Sequence, residues 1–113
     1  MAARISRGDI WIAAGGAEYA GKPRPVVILQ DDRFDATNSI TICPLTTNAA
    51  DVPLVRPGVV PTDTNGLKSP CRLMVDKISM MPRARLSMRI GRLGDSDIAE
   101  LNRAMLVFLG LAG

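Results

Sequence analysis

The sequence predicts a mainly β protein of the α+β class, in which short strands form one sheet and a single helix closes the chain. Three observations support this prediction. A continuous, largely β-branched run at residues 26–29 follows a proline-stiffened segment, as expected for a strand buried on both faces. Shorter stretches of alternating apolar and polar residues lie around it in the sequence. Near the end, apolar residues recur at helical spacing.

Length and composition fit one domain spanning residues 1–113. The chain has 113 residues, and 47% of them are hydrophobic, which is enough for one core. No apolar run reaches the roughly 18 residues of a membrane span, so we expect no membrane segment. The first residues lack the apolar stretch and cleavage pattern of a signal peptide, so we expect a cytoplasmic protein.

Net charge, aromatic content and cysteine content limit the kinds of ligand that the chain is expected to bind. A net charge of +3 is compatible with a short nucleic-acid contact but does not require one. Four aromatic residues are too few for a broad base-stacking platform. Cys43 and Cys71 lack metal-ligand spacing and the chain has no histidine, which argues against a zinc site and favours reduced core cysteines.

The first half of the chain predicts three strands. The first covers residues 10–13 with Trp11 in the core, and the glycine-containing loop 14–22 after it is suited to folding over a bound substrate. The second is the central run, and the polar connection 31–38 follows it. The third covers residues 39–45, where Pro44 predicts a sheet edge or a bulge.

The middle of the chain contains a proline-rich segment followed by an alternating stretch. Three prolines make residues 49–65 either a loop or a broken edge strand around residues 54–60, and Asn65-Gly66 predicts a turn. Residues 72–78 alternate as a strand, with Arg72, Met74 and Asp76 on one face.

The last third predicts a helical turn, a closing strand and a helix. The turn covers residues 82–86 and the strand residues 88–93. The helix begins at a cap formed by Asp95 or Ser96, and its wide apolar stripe suggests a subunit interface. The basic cluster formed by the four arginines at positions 83, 85, 89 and 92 fits a solvated face or a nucleic-acid contact.

Arg24 is a candidate functional residue because prolines flank it. Pro23 and Pro25 restrict the backbone on either side, and Pro25 holds Arg24 in an extended conformation. A guanidinium held in this way suits a phosphate, which it can bind with two parallel hydrogen bonds. The alternative is a surface arginine beside a turn.

Seven segments, taken in order from about Arg7 to Leu111, resemble the MazF/PemK (Kid) toxins of bacterial type II toxin–antitoxin pairs. They are Arg7-Gly8-Asp9-Ile10-Trp11, segment 21–30 with Arg24-Pro25-Val26-Val27, Cys43-Pro44-Leu45-Thr46-Thr47, Gly66-Leu67, Asp76-Lys77-Ile78, Arg85-Leu86 and Gly91-Arg92-Leu93. The resemblance implies a small, twisted antiparallel SH3-like half-barrel of the CcdB/Kid/MazF type with a C-terminal α-helix.

The resemblance also implies an activity and partners. Family members are metal-independent endoribonucleases, or mRNA interferases, that use no cofactor. They cut single-stranded mRNA as homodimers and are neutralised by a cognate antitoxin. In this sequence the catalytic arginine and threonine of the family fall on Arg24 and Thr46. A substrate-orienting carboxylate of some members falls on Asp76.

Four further residues are expected to contact RNA, and two departures bear on them. The expected contacts are Lys22, Thr47, Arg72 and Lys77. The first loop is shorter than in the family and Pro23 is an added residue. Met74 stands where some members have a basic residue, so Arg72, two positions away, is expected to supply that charge. The base-reading loops differ, so the recognised bases do not carry over.

Two alternatives to RNA cleavage remain open at this stage. One is a gyrase-inhibiting toxin like CcdB, which shares the implied fold but relies on an aromatic contact at the end of its C-terminal helix. This chain has no aromatic residue after Phe108. The other is a non-catalytic SH3-like interaction module, against which the presence of Arg24 and Thr46 argues.

Overall fold

The computed structural model describes residues 4–14, 22–48 and 55–112. These residues form seven strands and one α-helix. The strands are β1 (Asp9–Ala13), β2 (Arg24–Ile28), β3 (Ser39–Thr46), β4 (Gly58–Val59), β5 (Cys71–Leu73), β6 (Ser79–Pro82) and β7 (Leu86–Arg92), and the helix is α1 (Asp95–Phe108). Most of the predicted loop 14–22 and the first part of segment 49–65 lie outside the described residues.

All the strand pairs are antiparallel, in the order β4-β5-β3-β2-β1-β7, and β6 adds to the free side of the first half of β3. The sheet curls into a half-barrel closed by α1, so the predicted fold class is confirmed. Within the described residues, no helix is long and apolar enough to cross a membrane.

The central strand β2 is buried on both faces, as predicted. Val27 packs into the larger core cluster, which lies between the sheet and α1 and includes Leu101. Val26 and Ile28 point the other way, into a second cluster that contains Trp11. Because successive side chains alternate along a strand, these three residues join the two clusters.

Pro44 does not mark a sheet edge, so that part of the prediction made for it is wrong. β3 has neighbours on both sides: β2 on one, and first β6 and then β5 on the other. The Pro44 carbonyl accepts a hydrogen bond from the Met74 N–H at 2.9 Å, on the β5 side. In an antiparallel ladder the N–H and C=O of one residue face the same neighbour. The N–H that proline lacks would therefore point to the place where β3 changes partner.

The strand predicted at residues 72–78 is wrong after Leu73. The chain turns instead into a 3-10 turn, Val75–Lys77, with the Lys77 N–H donating to the Met74 carbonyl at 2.9 Å. Val75 is fully buried in the larger cluster and α1 packs against this turn, so tertiary packing overrides the alternating pattern. The predicted shared face of Arg72, Met74 and Asp76 therefore does not form.

The remaining elements mostly match their predictions. β1, β4, β7 and the 3-10 turn Arg83–Arg85 lie where the sequence predicts them, and the free cysteines are buried in β3 and β5. β6 was missed. The helix cap is also different, since Gly94 occupies it and no side chain of the described residues bonds there. Asp95 and Asp97 instead lie in the first turn, where their charge favours the positive end of the helix dipole.

Two glycines bring the turn before β5 into direct backbone contact with β7. A Cβ on Gly66 would lie 2.1 Å from the Ile90 carbonyl oxygen, and one on Gly91 would lie 2.4 Å from the Asn65 carbonyl carbon. Gly66 also has φ +71°, which disfavours other residues. The Arg92 N–H donates to the Thr64 carbonyl at 2.9 Å across the same contact. The turn that follows β4 therefore contacts β7, at the opposite end of the sheet, at two positions where only glycine fits.

We predict that Gly66→Ala destabilises the protein more than Gly110→Ala. Gly110 also has a positive φ, of +74°, but a Cβ there would meet no atom within 4 Å. Gly110→Ala should therefore lose only the conformational term, roughly 1 kcal/mol, whereas Gly66→Ala adds a backbone clash. Urea unfolding of both variants measures the difference. Equal losses would show that the approach to Ile90 is not a tight contact.

Candidate active site

The register between β2 and β3 brings Arg24 and Thr46 together. Val26 pairs with Pro44 and Val27 with Cys43. Continuing this register by two residues sets Arg24 opposite Thr46, on the same face of the sheet. Both side chains line one open cleft of about 650 Å³. The structure therefore brings the two predicted catalytic residues together.

A main-chain hydrogen bond holds the Thr46 hydroxyl oxygen in place. Its oxygen accepts a hydrogen bond from the Asn48 backbone N–H at 3.1 Å. A hydroxyl has one hydrogen to donate and two acceptor positions, so this contact uses an acceptor position and leaves the hydrogen free. Thr46 is only 8% exposed, and the exposed part faces the cleft. The hydroxyl can therefore donate to a group bound there.

The cleft is basic. Its described lining contains three cations and no carboxylate, and the remaining polar residues are hydroxyl and amide side chains. The lining residues are Arg24, Pro44, Thr46, Thr47, Asn48, Arg56, Met74, Lys77, Ser79 and Met80. Three positive charges around one concave surface favour an anionic ligand, and hydroxyl and amide groups add hydrogen bonds to it.

Arg56 is a lining residue that sequence reasoning missed. Its Nε donates to Oδ1 of Asp76 and its Nη2 donates to Oδ2, both at 2.9 Å. Hydrogen bonds from Arg56 hold the pKa of the Asp76 carboxyl below its usual range, and the same contact raises the pKa of Arg56. Asp76 therefore remains ionised and forms a fork-to-fork pair at the cleft wall.

The other predicted RNA contacts lie at the cleft or beside it. Lys77 and Thr47 line the cleft itself. Lys22 lies with Arg24 and Thr47 in an adjoining groove of about 240 Å³. Arg72 lies with Thr47 in a second adjoining groove of about 360 Å³. These depressions share residues with the cleft, so they continue it along the surface.

Arg72 does not take the place of a basic residue at position 74. Its Nη1 donates to the Arg56 carbonyl at 3.0 Å, whereas Met74 lines the cleft. Among the described residues, Arg56 rather than Arg72 brings a further guanidinium to the cleft wall. Two prolines around Arg56 make its segment resemble a surface loop, and its partner is 20 positions away. The sequence contains no signal that would identify this pair.

The basic cluster at positions 83, 85, 89 and 92 includes arginines with structural partners. The Arg83 guanidinium donates to the carbonyl of Thr37, and Arg85 donates to the carbonyl of Ala14 at 3.1 Å. Arg89 pairs with the buried Asp9 at 3.2 Å. These contacts join β7 and the turn before it to other parts of the fold, a role that the sequence analysis did not predict for these three residues.

Neither cysteine is suited to act as a nucleophile here. Burial raises the pKa of the Cys43 thiol to about 12. Burial also raises the pKa of Cys71, which lies at the edge of the adjoining grooves. Both thiols therefore stay protonated near neutral pH, and the thiolate is the reactive form. The polar chemistry of the cleft rests on hydroxyl, amide and cationic groups.

Comparisons with known proteins point to one family. Residues 6–109 match the model of the "PemK-like, MazF-like toxin of type II toxin-antitoxin system". A probable endoribonuclease MazF of Mycolicibacterium smegmatis is 52% identical over 96% of this chain and 100% of its own. Endoribonuclease MazF9 of Mycobacterium tuberculosis is 32% identical over 95% and 98%. The solved M. tuberculosis toxin MazF-mt6 is similar at a TM-score of 0.77 and 26% identity, over 93% of this chain and 99% of its own.

We predict that Asp76→Asn reduces the dependence of stability on acid pH. The folded protein holds the pKa of Asp76 below 3.8, the value expected in the unfolded chain. The ion pair therefore stabilises the fold at neutral pH, and this contribution is lost as the pH falls through the lowered value. Between about pH 7 and about pH 3, the unfolding free energy of the variant should fall less than that of the wild type, by up to about 1 kcal/mol.

Urea unfolding at the two pH values makes this measurement. Asp63→Asn is the charge control, since Asp63 is exposed and forms no ion pair within the described residues. An Asp76→Asn variant with the pH dependence of the wild type would show that the pair adds nothing to stability.

Proposed function

Because the chain belongs to the PemK-like, MazF-like toxins of type II toxin–antitoxin systems, we propose that it is a sequence-specific endoribonuclease of the bacterial cytoplasm. Its substrate is single-stranded mRNA. The observation that carries the proposal is the position of Arg24 and the Thr46 hydroxyl on one basic cleft. The names of both curated relatives favour RNA cleavage over gyrase inhibition and over a non-catalytic module.

The reaction is attack of a ribose 2′-oxygen on the adjacent phosphorus. The 2′-hydroxyl loses its proton, a bond forms between the 2′-oxygen and phosphorus, and the bond from phosphorus to the 5′-oxygen breaks. That oxygen gains a proton, so the products are a 2′,3′-cyclic phosphate and a 5′-hydroxyl. The nucleophile belongs to the substrate, so the reaction does not depend on a metal to activate water.

Arg24 and Thr46 act on the phosphate. Negative charge grows on its non-bridging oxygens as the phosphorane forms, and preorganised donors aimed at those oxygens lower the barrier. Arg24 supplies a positive charge and paired N–H donors, and Thr46 supplies its free hydroxyl hydrogen. A guanidinium does not give up its proton in proteins and is a poor proton acceptor, so the role of Arg24 is electrostatic.

The flanking nucleotides lie along the continuing grooves. Lys77 and Thr47 contact the RNA within the cleft, while Lys22 and Arg72 contact it in the adjoining grooves. The contacts from lysine and arginine are mainly electrostatic, so they bind RNA with little regard to sequence.

The active form is a homodimer that a cognate antitoxin neutralises. The family description, which names a toxin of a toxin–antitoxin system, supports the antitoxin. Apolar residues exposed at the end of α1 and just beyond it support the association of two copies. They are Leu106, Val107, Phe108, Leu109 and Leu111. Their exposure in one protomer leaves an apolar surface that a second protomer can cover.

We predict that Arg24→Ala and Thr46→Val each lower the rate of RNA cleavage by about 10²- to 10³-fold, because each removes a preorganised donor. Thr46→Ser is the matched control, since it keeps the hydroxyl and should retain most of the activity. The measurement is cleavage of a mixed RNA by the purified proteins, with 5′ and 3′ end mapping. Near-normal rates in Arg24→Ala or Thr46→Val would reject the assignment of that residue.

We also predict that one 2′-deoxynucleotide on the 5′ side of the cut abolishes cleavage, because it removes the attacking oxygen. The same oligonucleotide with the substitution one position further away should be cut at the normal rate. EDTA should leave the rate unchanged. Cutting of an all-DNA oligonucleotide would refute the mechanism.

A further inference from the structure

The Arg56–Asp76 pair uses only part of the hydrogen-bonding capacity of the guanidinium. A guanidinium has five N–H groups, and two of those on Arg56 donate to Asp76. Three remain. Within the described part of the chain, Trp11 Nε1 is the buried side-chain nitrogen that lacks a hydrogen-bond partner. Each nitrogen of Arg56 is therefore either hydrogen-bonded or exposed. Nη1, which takes no part in the pair, is therefore exposed on the side chain that lines the cleft, with two N–H groups to donate.

The backbone of Arg56 is already fixed without the ion pair. The Val75 N–H donates to the Val55 carbonyl at 3.1 Å, and the Leu73 N–H donates to the Pro57 carbonyl at 2.9 Å. Arg72 adds a hydrogen bond to the Arg56 carbonyl itself. Three contacts thus join residues 55–57 to β5 and the turn after it. The side-chain pair is not needed to hold this segment in place.

An ion pair at this position is also a costly way to gain stability. Arg56 as a whole is only 8% exposed, so its charge is less well solvated than that of a surface arginine. Pairs of this kind often stabilise a fold no better than apolar residues of similar size. The carboxylate instead fixes the orientation of the Arg56 side chain, since a bidentate contact sets the plane of the guanidinium.

We propose that Arg56 binds a backbone phosphate of the RNA and that Asp76 is the positioning residue that orients it. This inference rests on the proposed function, because it concerns the same cleft. One edge of the guanidinium bonds to Asp76, and the other presents donors to a phosphate next to the one that Arg24 and Thr46 hold. Asp76 thus acts through Arg56 rather than on the substrate.

The pairing with Asp76 does not cancel the attraction for phosphate. Arg24 and Lys77 line the same cleft, and its described lining contains no carboxylate. Counting Asp76 behind Arg56, the four charged groups still sum to a positive value. A guanidinium whose orientation is already set also loses little conformational freedom when RNA binds.

The test compares Arg56→Gln, Asp76→Asn and the double variant. The probe is an RNA oligonucleotide of the mapped target sequence, made uncleavable by one 2′-deoxynucleotide at the cut. Its affinity is measured by fluorescence anisotropy from about 50 to about 200 mM salt. Arg56→Gln should weaken binding about ten- to hundredfold and reduce the slope of log affinity against log salt by about 0.7, the value for one phosphate on a single strand.

The double variant separates positioning from direct contact. Asp76→Asn should weaken binding, and Arg56→Gln/Asp76→Asn should bind no more weakly than Arg56→Gln alone, because the effect of Asp76 passes through Arg56. Arg103→Gln is the matched charge control, since Arg103 is an exposed residue of α1 paired with Glu100. It should keep the wild-type slope.

Arg56→Lys keeps the inference testable if Arg56→Gln does not fold. It retains the charge but loses the planar fork, so it should keep the wild-type salt slope and bind about tenfold more weakly. Urea unfolding confirms that each variant is folded in the assay.

Three outcomes would overturn the inference. In the first, folded Arg56→Gln, or Arg56→Lys if Arg56→Gln does not fold, binds as the wild type does. In the second, Asp76→Asn weakens binding further when added to Arg56→Gln. In the third, the wild-type protein neither cuts nor binds RNA. The third removes the proposed function as well, whereas the first two leave it standing.

Discussion

In the register between β2 and β3, Val26 lies opposite Pro44, and both the core and the cleft follow from this pairing. It directs Val26 and Ile28 into one apolar cluster and Val27 into the other. Two residues further along, the same alternation sets Arg24 opposite Thr46 at the open end of the strands. A slip by one residue would turn Arg24 to the opposite face of the sheet, away from Thr46, and would send the apolar side chains of β2 into the wrong clusters. Burial of the apolar residues therefore holds the two polar side chains in place at the cleft.

Pro44 shows how the fold uses a residue that central strands usually exclude. Along its outer side, β3 pairs first with β6 and then with β5, and Pro44 lies between these two pairings. An N–H at that position would face a gap between two strands, so its absence leaves no donor unpaired. The exchange of partners also brings the Val75–Lys77 turn close to the end of β3. Lys77, within that turn, and Met74, just before it, both line the cleft.

Local pattern was enough to predict much of this structure, and long-range pairing accounts for most of what it missed. The strands with clear alternation, the helix with its apolar stripe and the buried cysteines were all predictable. Residues 72–78 alternate just as well, but α1 packs against Val75–Lys77 and the chain turns there. β6 was missed because Ser79-Met80-Met81-Pro82 has no alternating pattern and ends in proline. In the cleft, the flanking prolines and the family resemblance both indicated Arg24, whereas the resemblance alone indicated Thr46. Arg56 lies between prolines, and its carboxylate partner is distant in sequence, so a single sequence does not indicate it.

The contact between Asn48 and Thr46 has a consequence for how relatives of this protein can diverge. The donor is a main-chain N–H, which every amino acid except proline provides. The side chain at position 48 can therefore vary without releasing the Thr46 hydroxyl. Position 48 is therefore free to acquire new surface chemistry over evolution, while the hydroxyl oxygen beside it stays in place.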